Sequence, residues 1–323
     1  MSEMNTMQIK NTLKKSYDYV AETVELIHNG SDNVVYKATS PQGDSIVIRV
    51  SKRKKSTQVL EQEGNILRSL SEGGAPVPQF LKNNAGKYVY NNGHQKIICS
   101  KFITGKTVSL KSKPSARIVK SAAISLAKLH QAGLSSLNIK ALTFERDIFT
   151  EVNRLEKMKK HFCTHYKEGL AFIALTTKYK RKIKELYNKE PAGFIHNDYR
   201  SHNVLASKNK IKAILDFDWA TVGPFKKDLA HAALEWAFPD ATAEPWKDVF
   251  TLFIETYLTH NLSVNDHNIK DWVVYSALCD AATFYIDRLP DSPEKEPQKT
   301  LQSYMHLKAV YFDKLEDAEL FSW

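Results

Sequence analysis

The spacing of apolar residues changes once along this chain, near Lys106, and that change limits the fold more than any other feature. Before it, short β-branched runs separated by turn residues predict antiparallel strands. After it, apolar residues recur at helical spacing, as in ARIVKSAAISLAKLHQAGL. We therefore expect an α+β fold of two lobes: a small antiparallel-sheet lobe with one helix over residues 1–105, and a larger, mostly helical lobe over residues 106–323.

Two hairpins and a helix define the first lobe. Residues 34–38 and 45–50 are β-branched runs on either side of TSPQGD, a turn rich in Pro, Gly and Asp. The stretch STQVLEQEGNILRSLSEGG reads as a helix ended by Gly73 and Gly74. KYVYNNGHQKIICSKFITGKTV then predicts a second hairpin, which leads into a linker over residues 98–105.

Composition excludes several classes of protein. With 42% hydrophobic residues the chain can bury a core, but no apolar run reaches the roughly 18 residues that a membrane helix needs. The N-terminal stretch MSEMNTMQIKNTLKKSYDYV lacks the apolar segment of a secretory signal. Cys99, Cys163 and Cys279 are too few and too far apart for a disulfide framework or a zinc site. We therefore expect a cytoplasmic protein with no membrane partner.

The net charge of +10 is spread along the chain. Residues 1–105 contain 14 basic and 9 acidic residues, and the remainder contains 32 and 27, so each part carries +5. The longest basic block is KRKK, at residues 52–55. A dispersed charge of this kind favours a basic surface with a phosphate-bearing ligand over a specific nucleic-acid partner.

A polar cluster, FIHNDYRSHNVL at residues 194–205, interrupts strand-like apolar sequence in the second lobe. Within it Asp198 lies five residues before Asn203, and KAILDFD then places Asp216 thirteen residues after Asn203. Because a polar turn brings the chain back beside itself, Asn203 and Asp216 can face one site. Carboxylate and amide oxygens suit Mg²⁺, and phosphoryl transfer needs such ligands together with a base.

These motifs resemble those of a known group of kinases. HNDYRSHN is similar to the H-x-D-x-x-x-x-N loop of kinases, and LDFD is similar to their metal-binding D-F-G-type segment. Together with LDFDWATVGPFKKDLAHAALEW, they resemble the aminoglycoside phosphotransferase and choline kinase superfamily, in its choline/ethanolamine kinase or homoserine kinase-like branch. The resemblance runs from HNGSDNVVYKA to at least Trp236. It implies a protein-kinase-like fold, ATP and Mg²⁺ as cofactors, and a small hydroxyl-bearing substrate.

The resemblance assigns roles to four residues of the second lobe. Asp198 is expected to be the catalytic base that deprotonates the acceptor hydroxyl. Asn203 and Asp216 are expected to bind Mg²⁺. Arg200 lies two residues after Asp198 and is expected to stabilise charge on the transferred phosphate.

Two further residues of the second lobe are expected to support the site. His196 should brace the loop without taking part in the chemistry, and Asp228, in KKDLA, should fix the loop through backbone hydrogen bonds. The roles of His202 and Asp218 stay open.

In the first lobe, HNGSDNVVYKA occupies the place of the phosphate-covering loop. It carries one glycine, so Gly30, Ser31 and Asn33 are expected to offer backbone N–H groups to phosphate. The linker resembles the adenine-binding hinge of kinases, and backbone groups from Ser100 to Phe102 are expected to bind the base.

An ion pair is expected beside that loop. Arg49, in IVIRV, stands where many kinases carry a Lys for the α- and β-phosphates. Glu63 lies on the apolar face of the predicted helix, where a carboxylate needs a cation, so we expect it to pair with Arg49. Glu61 is expected to face away from that side of the helix.

Several alternatives remain open from the sequence. The acceptor could be an amino-alcohol such as choline or ethanolamine, or a homoserine- or aminoglycoside-like compound. The protein could instead be a serine/threonine protein kinase of the bacterial stress-response type, or a nucleotide-binding regulator without turnover. ATP is favoured over GTP, and the oligomeric state is open. Aromatic residues could form a cage for a quaternary ammonium or, as is usual in helices, lie in the core: Trp219, Trp236, Trp246, Tyr257, Tyr275 and Tyr285.

Overall fold

The computed structural model describes residues 4–30, 33–52, 55–93, 95–138, 142–144, 146–165, 169–238, 244–288, 302–316 and 319–320. The chain divides into two compact units, Met1–Thr104 and Gly105–Trp323. The first is built on an antiparallel sheet and the second is mostly helical, so the predicted α+β class is confirmed. The assignment of nucleotide binding to the first unit and of catalysis to the second stays a prediction.

The first unit combines an antiparallel sheet with two helices among its described residues. The strand order is β1-β2-β3-β6-β4, and β5 also pairs with β6. The elements are α1 (Thr6–Tyr17), β1 (Thr23–Asn29), β2 (Asn33–Thr39), β3 (Ser45–Ser51), α2 (Thr57–Glu72), β4 (Phe80–Leu81), β5 (Val89–Asn91) and β6 (Lys96–Lys101).

The β2–β3 hairpin is the one that the sequence predicts. Its register pairs Val34 with Val50 and Tyr36 with Ile48. Burial alternates along both strands, so these four side chains point into the core of the unit. The hairpin of β5 and β6 and the helix α2, which ends at Gly73, are also confirmed.

Helix α1 is a second helix that the sequence analysis missed. Asn5 and Gln8 form a capping box at its start, in which each side chain accepts the other residue's backbone N–H. Ile9 and Leu13, four residues apart, pack into the same apolar cluster as the buried side chains of β2 and β3. The capping pair and this spacing were present in the sequence as signals.

In its described residues, the second unit consists of helices and two small two-stranded sheets. The sheets pair β7 with β10 and β8 with β9. The elements are α3 (Ala116–Ser136), α4 (Thr150–Lys157), α5 (Lys159–His165), α6 (Gly169–Tyr187), β7 (Ala192–Ile195), a short 3₁₀ helix (Ser201–Asn203), β8 (Val204–Ser207), β9 (Lys210–Ile214), β10 (Thr221–Pro224), α7 (Phe225–Ala237), α8 (Lys247–His260), α9 (Ile269–Arg288) and α10 (Gln302–Lys314).

A tight turn fixes the position of the β8–β9 hairpin. Lys208 and Asn209 both have left-handed backbone, with φ of 51° and 58°. Two successive residues of this kind suit the two-residue turn whose twist matches antiparallel strands. The hairpin therefore returns the chain directly, with Ile214 paired to Val204.

Two further observations bear on the predicted class of protein. Among the described residues, none of the helices combines the length and the apolar character that crossing a bilayer requires. Cys99, Cys163 and Cys279 are all free thiols, and the burial of Cys99 and Cys279 raises the pKa of each to about 12.

Candidate functional site

The polar cluster of the second unit forms a loop between β7 and β8, and α7 holds the backbone of this loop. Asp228, in the first turn of α7, is fully buried and accepts the backbone N–H groups of His196 and Asn197, each at 2.7 Å. Asn197 has a left-handed backbone with φ of 60°, a conformation that Asn tolerates better than most residues. The predicted role of Asp228 in fixing the loop backbone is confirmed.

His196 connects the start of the loop to the end of β9. Its Nδ1 accepts the backbone N–H of Asp198 at 3.3 Å, so Nε2 carries the proton and donates to the Leu215 carbonyl at 2.8 Å. The side chain is fully buried. It braces the loop, as predicted from the sequence.

Asp198, Arg200 and Asn203 lie in direct contact. Arg200 donates from Nε and Nη2 to Oδ1 of Asp198, at 2.7 and 2.5 Å. Asn203 donates from Nδ2 to Oδ2 of Asp198 at 2.8 Å and to its backbone carbonyl at 2.9 Å. Both carboxylate oxygens are therefore held, which fixes the orientation of Asp198.

Asp216 lies two residues after the end of β9, the strand that pairs with β8. The backbone N–H of Leu215 donates to the Asn203 carbonyl at 2.7 Å. Burial raises the pKa of the Asp216 carboxyl, and the negative charges of Asp218 and Asp198 raise it further. The hairpin thus brings Asp216 within electrostatic range of Asp198, as the spacing predicts.

The donor set of this site fits a hard divalent cation. Because Asn203 uses its amide nitrogen on Asp198, its amide oxygen is left to act as a ligand, and Asp216 directly follows Leu215, whose backbone N–H binds the backbone carbonyl of Asn203. Oxygen ligands of this kind, in a group of like negative charges that a cation would relieve, suit Mg²⁺ or Ca²⁺. His202 is exposed, and its Nδ1 lies 3.5 Å from Ser201 Oγ.

Glu235 is a neighbour of the site that the sequence analysis missed. Its Oε2 lies 3.7 Å from Nη1 of Arg200, and its Oε1 lies 3.7 Å from Nζ of Lys308 on α10. Burial opposes its ionisation, but the attraction of Arg200 and Lys308 outweighs burial and lowers the pKa of Glu235. Glu235 comes seven residues after Asp228, which puts both on one face of α7, and that spacing was the available signal.

A second group of potential metal ligands lies near Glu235. His231, Glu235 and Asp280 bring ligand atoms within 4.8 Å of one another. However, Arg200 and Lys308 each approach Glu235 to 3.7 Å. These two cations oppose the binding of a divalent ion at this position.

In the first unit, the predicted ion pair forms between β3 and α2. Arg49 Nη1 and Nη2 contact Glu63 Oε1 and Oε2, each at 2.8 Å, and the two side chains are 18% and 12% exposed. Glu61, which was expected to face away from that side of the helix, binds other partners: its carboxylate accepts the backbone N–H groups of Tyr88 and Val89 at 3.2 and 2.8 Å. Glu61 thus binds the backbone at the start of β5.

The loop between β1 and β2 is described at its two ends, and Ser31 lies outside the described residues. The backbone N–H of Gly30 donates to the Asn33 carbonyl at 3.0 Å. A Cβ at Gly30 would come within 2.6 Å of Nε2 of His28, an exposed side chain that can turn aside, so this contact alone does not require a glycine. Lys52 donates to the Gly30 carbonyl at 2.7 Å and so adds a cation that was not predicted.

The segment predicted to bind adenine is already hydrogen-bonded within its own unit. Ser100 is a buried residue of β6 and pairs with both Val47 and Phe80. The next two N–H groups, of Lys101 and Phe102, donate to the carbonyls of Gln79 and Ser45. A bound base would therefore use carbonyl groups here, or N–H groups after Phe102, and the role of this segment stays a prediction.

Four of the six aromatic residues considered for a cage lie in the core of the helical unit, and Trp219 and Trp246 are half-buried. Trp236, Tyr257 and Tyr275 are fully buried in the helical core, and Tyr285 is 7% exposed. Trp219 is half-buried, and the Arg146 guanidinium covers its ring at 3.9 Å from the centroid. The interpretation as core residues is therefore confirmed for the four buried ones, Trp236, Tyr257, Tyr275 and Tyr285.

Several solved structures share this fold. An amicoumacin kinase in complex with AMP-PNP, Ca²⁺ and Ami is 15% identical, with a TM-score of 0.70 over 98% of this chain and 97% of that chain. Choline kinase from Cryptosporidium parvum Iowa II is 16% identical, with a TM-score of 0.68 over 99% of both chains. Spectinomycin phosphotransferase in complex with ADP and spectinomycin is 18% identical, with a TM-score of 0.66 over 99% and 98%.

Sequence comparison identifies the family. A homoserine kinase of Methylobacterium sp. (strain 4-46) is 22% identical over 179 residues, which are 54% of this chain and 52% of the relative. The match thus spans about half the length of that curated relative. The sequence model described as "Phosphotransferase enzyme family" matches residues 23–257, a stretch that contains both the β2–β3 hairpin and the loop of Asp198. The resemblance inferred from the motifs is confirmed, and the chain belongs to the phosphotransferase enzyme family.

Proposed function

We propose that this protein transfers the γ-phosphate of ATP, with Mg²⁺, to a hydroxyl group of a small molecule. The observation that carries the proposal is the Asp198 carboxylate, which Arg200 and Asn203 hold from both sides on a loop fixed by Asp228. A carboxylate oriented in this way can act as a general base. Membership of the phosphotransferase enzyme family supports the reaction class.

In the proposed reaction, Asp198 takes the proton of the acceptor hydroxyl. The hydroxyl oxygen forms a bond to the γ-phosphorus while the bond from that phosphorus to the β-phosphate oxygen breaks, and ADP leaves. Arg200, whose side chain is 36% exposed beside Asp198, offers positive charge to the transferred group. Its contact with Asp198 also limits the orientations that the base can adopt.

The amide oxygen of Asn203 and the carboxylate of Asp216 would hold the metal. Mg²⁺, when bound, neutralises negative charge on the phosphates. The residues themselves contribute a fixed position, since the Asn203 amide is tied to Asp198 and the backbone of Leu215 is tied to the Asn203 carbonyl. A structural neighbour with AMP-PNP and Ca²⁺ supports the use of a nucleotide and a divalent cation.

We assign nucleotide binding to the first unit. Arg49, oriented by Glu63, would contact the phosphates as a bidentate cation. Gly30, Ser31 and Asn33 would supply the covering loop, and the Ser100–Phe102 segment would hold the base. ATP is the proposed donor, and three free cysteines support a reducing, cytoplasmic location.

The acceptor is proposed to be an amino-alcohol, such as ethanolamine or choline, or a homoserine- or aminoglycoside-like compound. The names of the relatives support each of these classes. Four of the six aromatic residues considered for a cage are core residues, and Trp219 and Trp246 are half-buried, which gives acceptors with N–H donors more support than quaternary ammonium compounds.

The experiment that tests the proposal is a turnover assay with a panel of acceptors. The protein is incubated with Mg-ATP and ethanolamine, choline, homoserine or spectinomycin, and ADP release and ³¹P NMR of the product are measured. We expect ADP and a phosphate monoester in equal amounts with at least one acceptor. No turnover with any of them, together with no ATP binding by calorimetry, refutes the proposal. Labelling of added proteins, with none of small alcohols, would identify a protein kinase instead.

A further inference from the structure

Helix α7 contacts the Asp198 loop at a second point besides Asp228. Asp228 and Glu235 are seven residues apart, and seven residues are close to two complete helical turns, so both carboxylates lie on one face of the helix. Asp228 bonds the loop backbone at His196 and Asn197. Glu235 lies two turns further along and faces the side chain of Arg200.

The guanidinium of Arg200 lies between two carboxylates. Its Nε and Nη2 contact Asp198 at 2.7 and 2.5 Å, and its Nη1 lies 3.7 Å from Glu235 Oε2. A guanidinium is a planar fork whose edges can engage two anions at once. The contact with Glu235 is an ion pair and not a hydrogen bond, so it attracts the group without competing for the donors that Asp198 uses.

Lys308 helps to keep Glu235 ionised, so that Glu235 can attract the guanidinium of Arg200. Glu235 and Lys308 are both mostly buried, with side chains 11% and 8% exposed, and Oε1 of Glu235 has no hydrogen-bond partner among the described residues. A buried carboxylate persists as an anion only when cations compensate its desolvation. Lys308 at 3.7 Å and Arg200 at 3.7 Å supply that compensation from two sides.

From these contacts we infer that Glu235 is a positioning residue for phosphoryl transfer, which acts by holding the Arg200 guanidinium against Asp198. This inference rests on the proposed function for its effect on turnover. An Arg side chain loses rotamer entropy when it is fixed in one position. Glu235 offsets that cost from a rigid helix, so that Arg200 and Asp198 are in place before the substrates bind.

The test is a double-mutant cycle of Glu235→Gln and Arg200→Gln. The control is Glu156→Gln, which removes a partly buried ion pair with Lys180 elsewhere in the same unit. With the best acceptor of the panel, or with water as acceptor measured as ADP release from Mg-ATP, E235Q should lower kcat about tenfold, with KM for ATP changed less than about twofold. E235Q should have no further effect once Arg200 is Gln, and E156Q should leave kcat unchanged. Independent, multiplicative losses from R200Q and E235Q would overturn the inference.

A second measurement does not depend on turnover. The ¹⁵Nε–H resonance of Arg200, assigned by its disappearance in R200Q, reports how firmly the guanidinium is held. Its exchange with water should be at least tenfold faster in E235Q than in the unmodified protein and in E156Q. Unchanged exchange in E235Q overturns the inference whether or not the protein turns over. Faster exchange in a protein without any turnover would support the contact and refute the proposed function.

Discussion

The carboxylate of Asp228 lies 3.0 Å from the imidazole of His130, and neither side chain is exposed to solvent. His130 in turn lies 2.6 Å from the Tyr257 hydroxyl, which accepts from Asn261 at 2.8 Å. Because the same carboxylate also accepts two backbone N–H groups of the Asp198 loop, the buried network extends from α8 to the candidate site. The loop position is therefore coupled to the stability of the helical unit.

Replacing Asp228 by Asn should destabilise the fold in a pH-dependent way. The hydrogen bond and charge of His130, with further help from His196, outweigh burial and lower the pKa of Asp228 to about 2. Because the folded pKa lies below the unfolded value of about 3.9, the stabilisation is present above pH 4 and is lost as pH falls toward 2. Its size is about 2 kcal/mol. Urea unfolding should be measured from pH 7 to pH 3. The difference in free energy of unfolding between the unmodified protein and D228N should become smaller below pH 4.

The control for this prediction is Asp248→Asn. Asp248 pairs with Lys113 at 2.6 Å, but the two side chains are 66% and 50% exposed. Such a surface pair should change the free energy of unfolding by less than about 1 kcal/mol. If D228N lowers the free energy of unfolding by the same amount at pH 7 and pH 3, the effect does not come from the charge of Asp228.

Asp198→Asn should abolish phosphoryl transfer and leave ATP binding largely intact. Asn keeps the shape and the contact with Arg200 but cannot accept the hydroxyl proton. Loss of a general base costs about 10²- to 10⁴-fold in kcat. ADP release under Mg-ATP measures kcat, and calorimetry measures the dissociation constant for ATP. Turnover within tenfold of the unmodified protein would remove Asp198 from its proposed role.

Much of the fold could be predicted because local patterns agree with it. TSPQGD between two β-branched runs specifies the β2–β3 hairpin, and Gly73 ends α2 where the apolar stripe stops. The loop of Asp198 could be placed for a similar reason, since a polar two-residue turn fixes the return of β9. In each case the residues that decide the structure are adjacent in sequence.

What escaped prediction depends on contacts between distant residues. No partner could be named for Glu61 from the sequence, yet it accepts backbone N–H groups 27 and 28 residues away. Glu235 reads as an ordinary helix residue until the partners on the loop and on α10 are known. Helix α1 was missed for a different reason, because a short amphipathic stretch of 12 residues looks marginal until its partner sheet is known.

Arg49→Met should weaken ATP binding more than it slows transfer. Arg49 and Glu63 form a two-point ion pair, and the loss of a bidentate phosphate cation should raise KM for ATP roughly tenfold. Glu63→Gln should have a smaller effect in the same direction, since Arg49 keeps its charge and loses only its orientation. Steady-state kinetics over ATP concentration separate KM from kcat. Arg68→Met, which removes an exposed pair with Glu72 on α2, is the matched control and should leave both unchanged.

Asp216→Asn should raise the concentration of Mg²⁺ that the reaction requires. The change removes one negative charge from a group in which Asp218 and Asp198 lie within electrostatic range, so a divalent cation is held less firmly. We expect the Mg²⁺ concentration for half-maximal ADP release to rise at least tenfold, and chelation by EDTA to stop the reaction in both proteins. Asp266→Asn, on the loop between α8 and α9, controls for the loss of one surface charge and should keep the unmodified Mg²⁺ dependence. If D216N shows that same dependence, Asp216 is not a metal ligand, and the Asn203 amide together with Asp198 would be the donor set to test next.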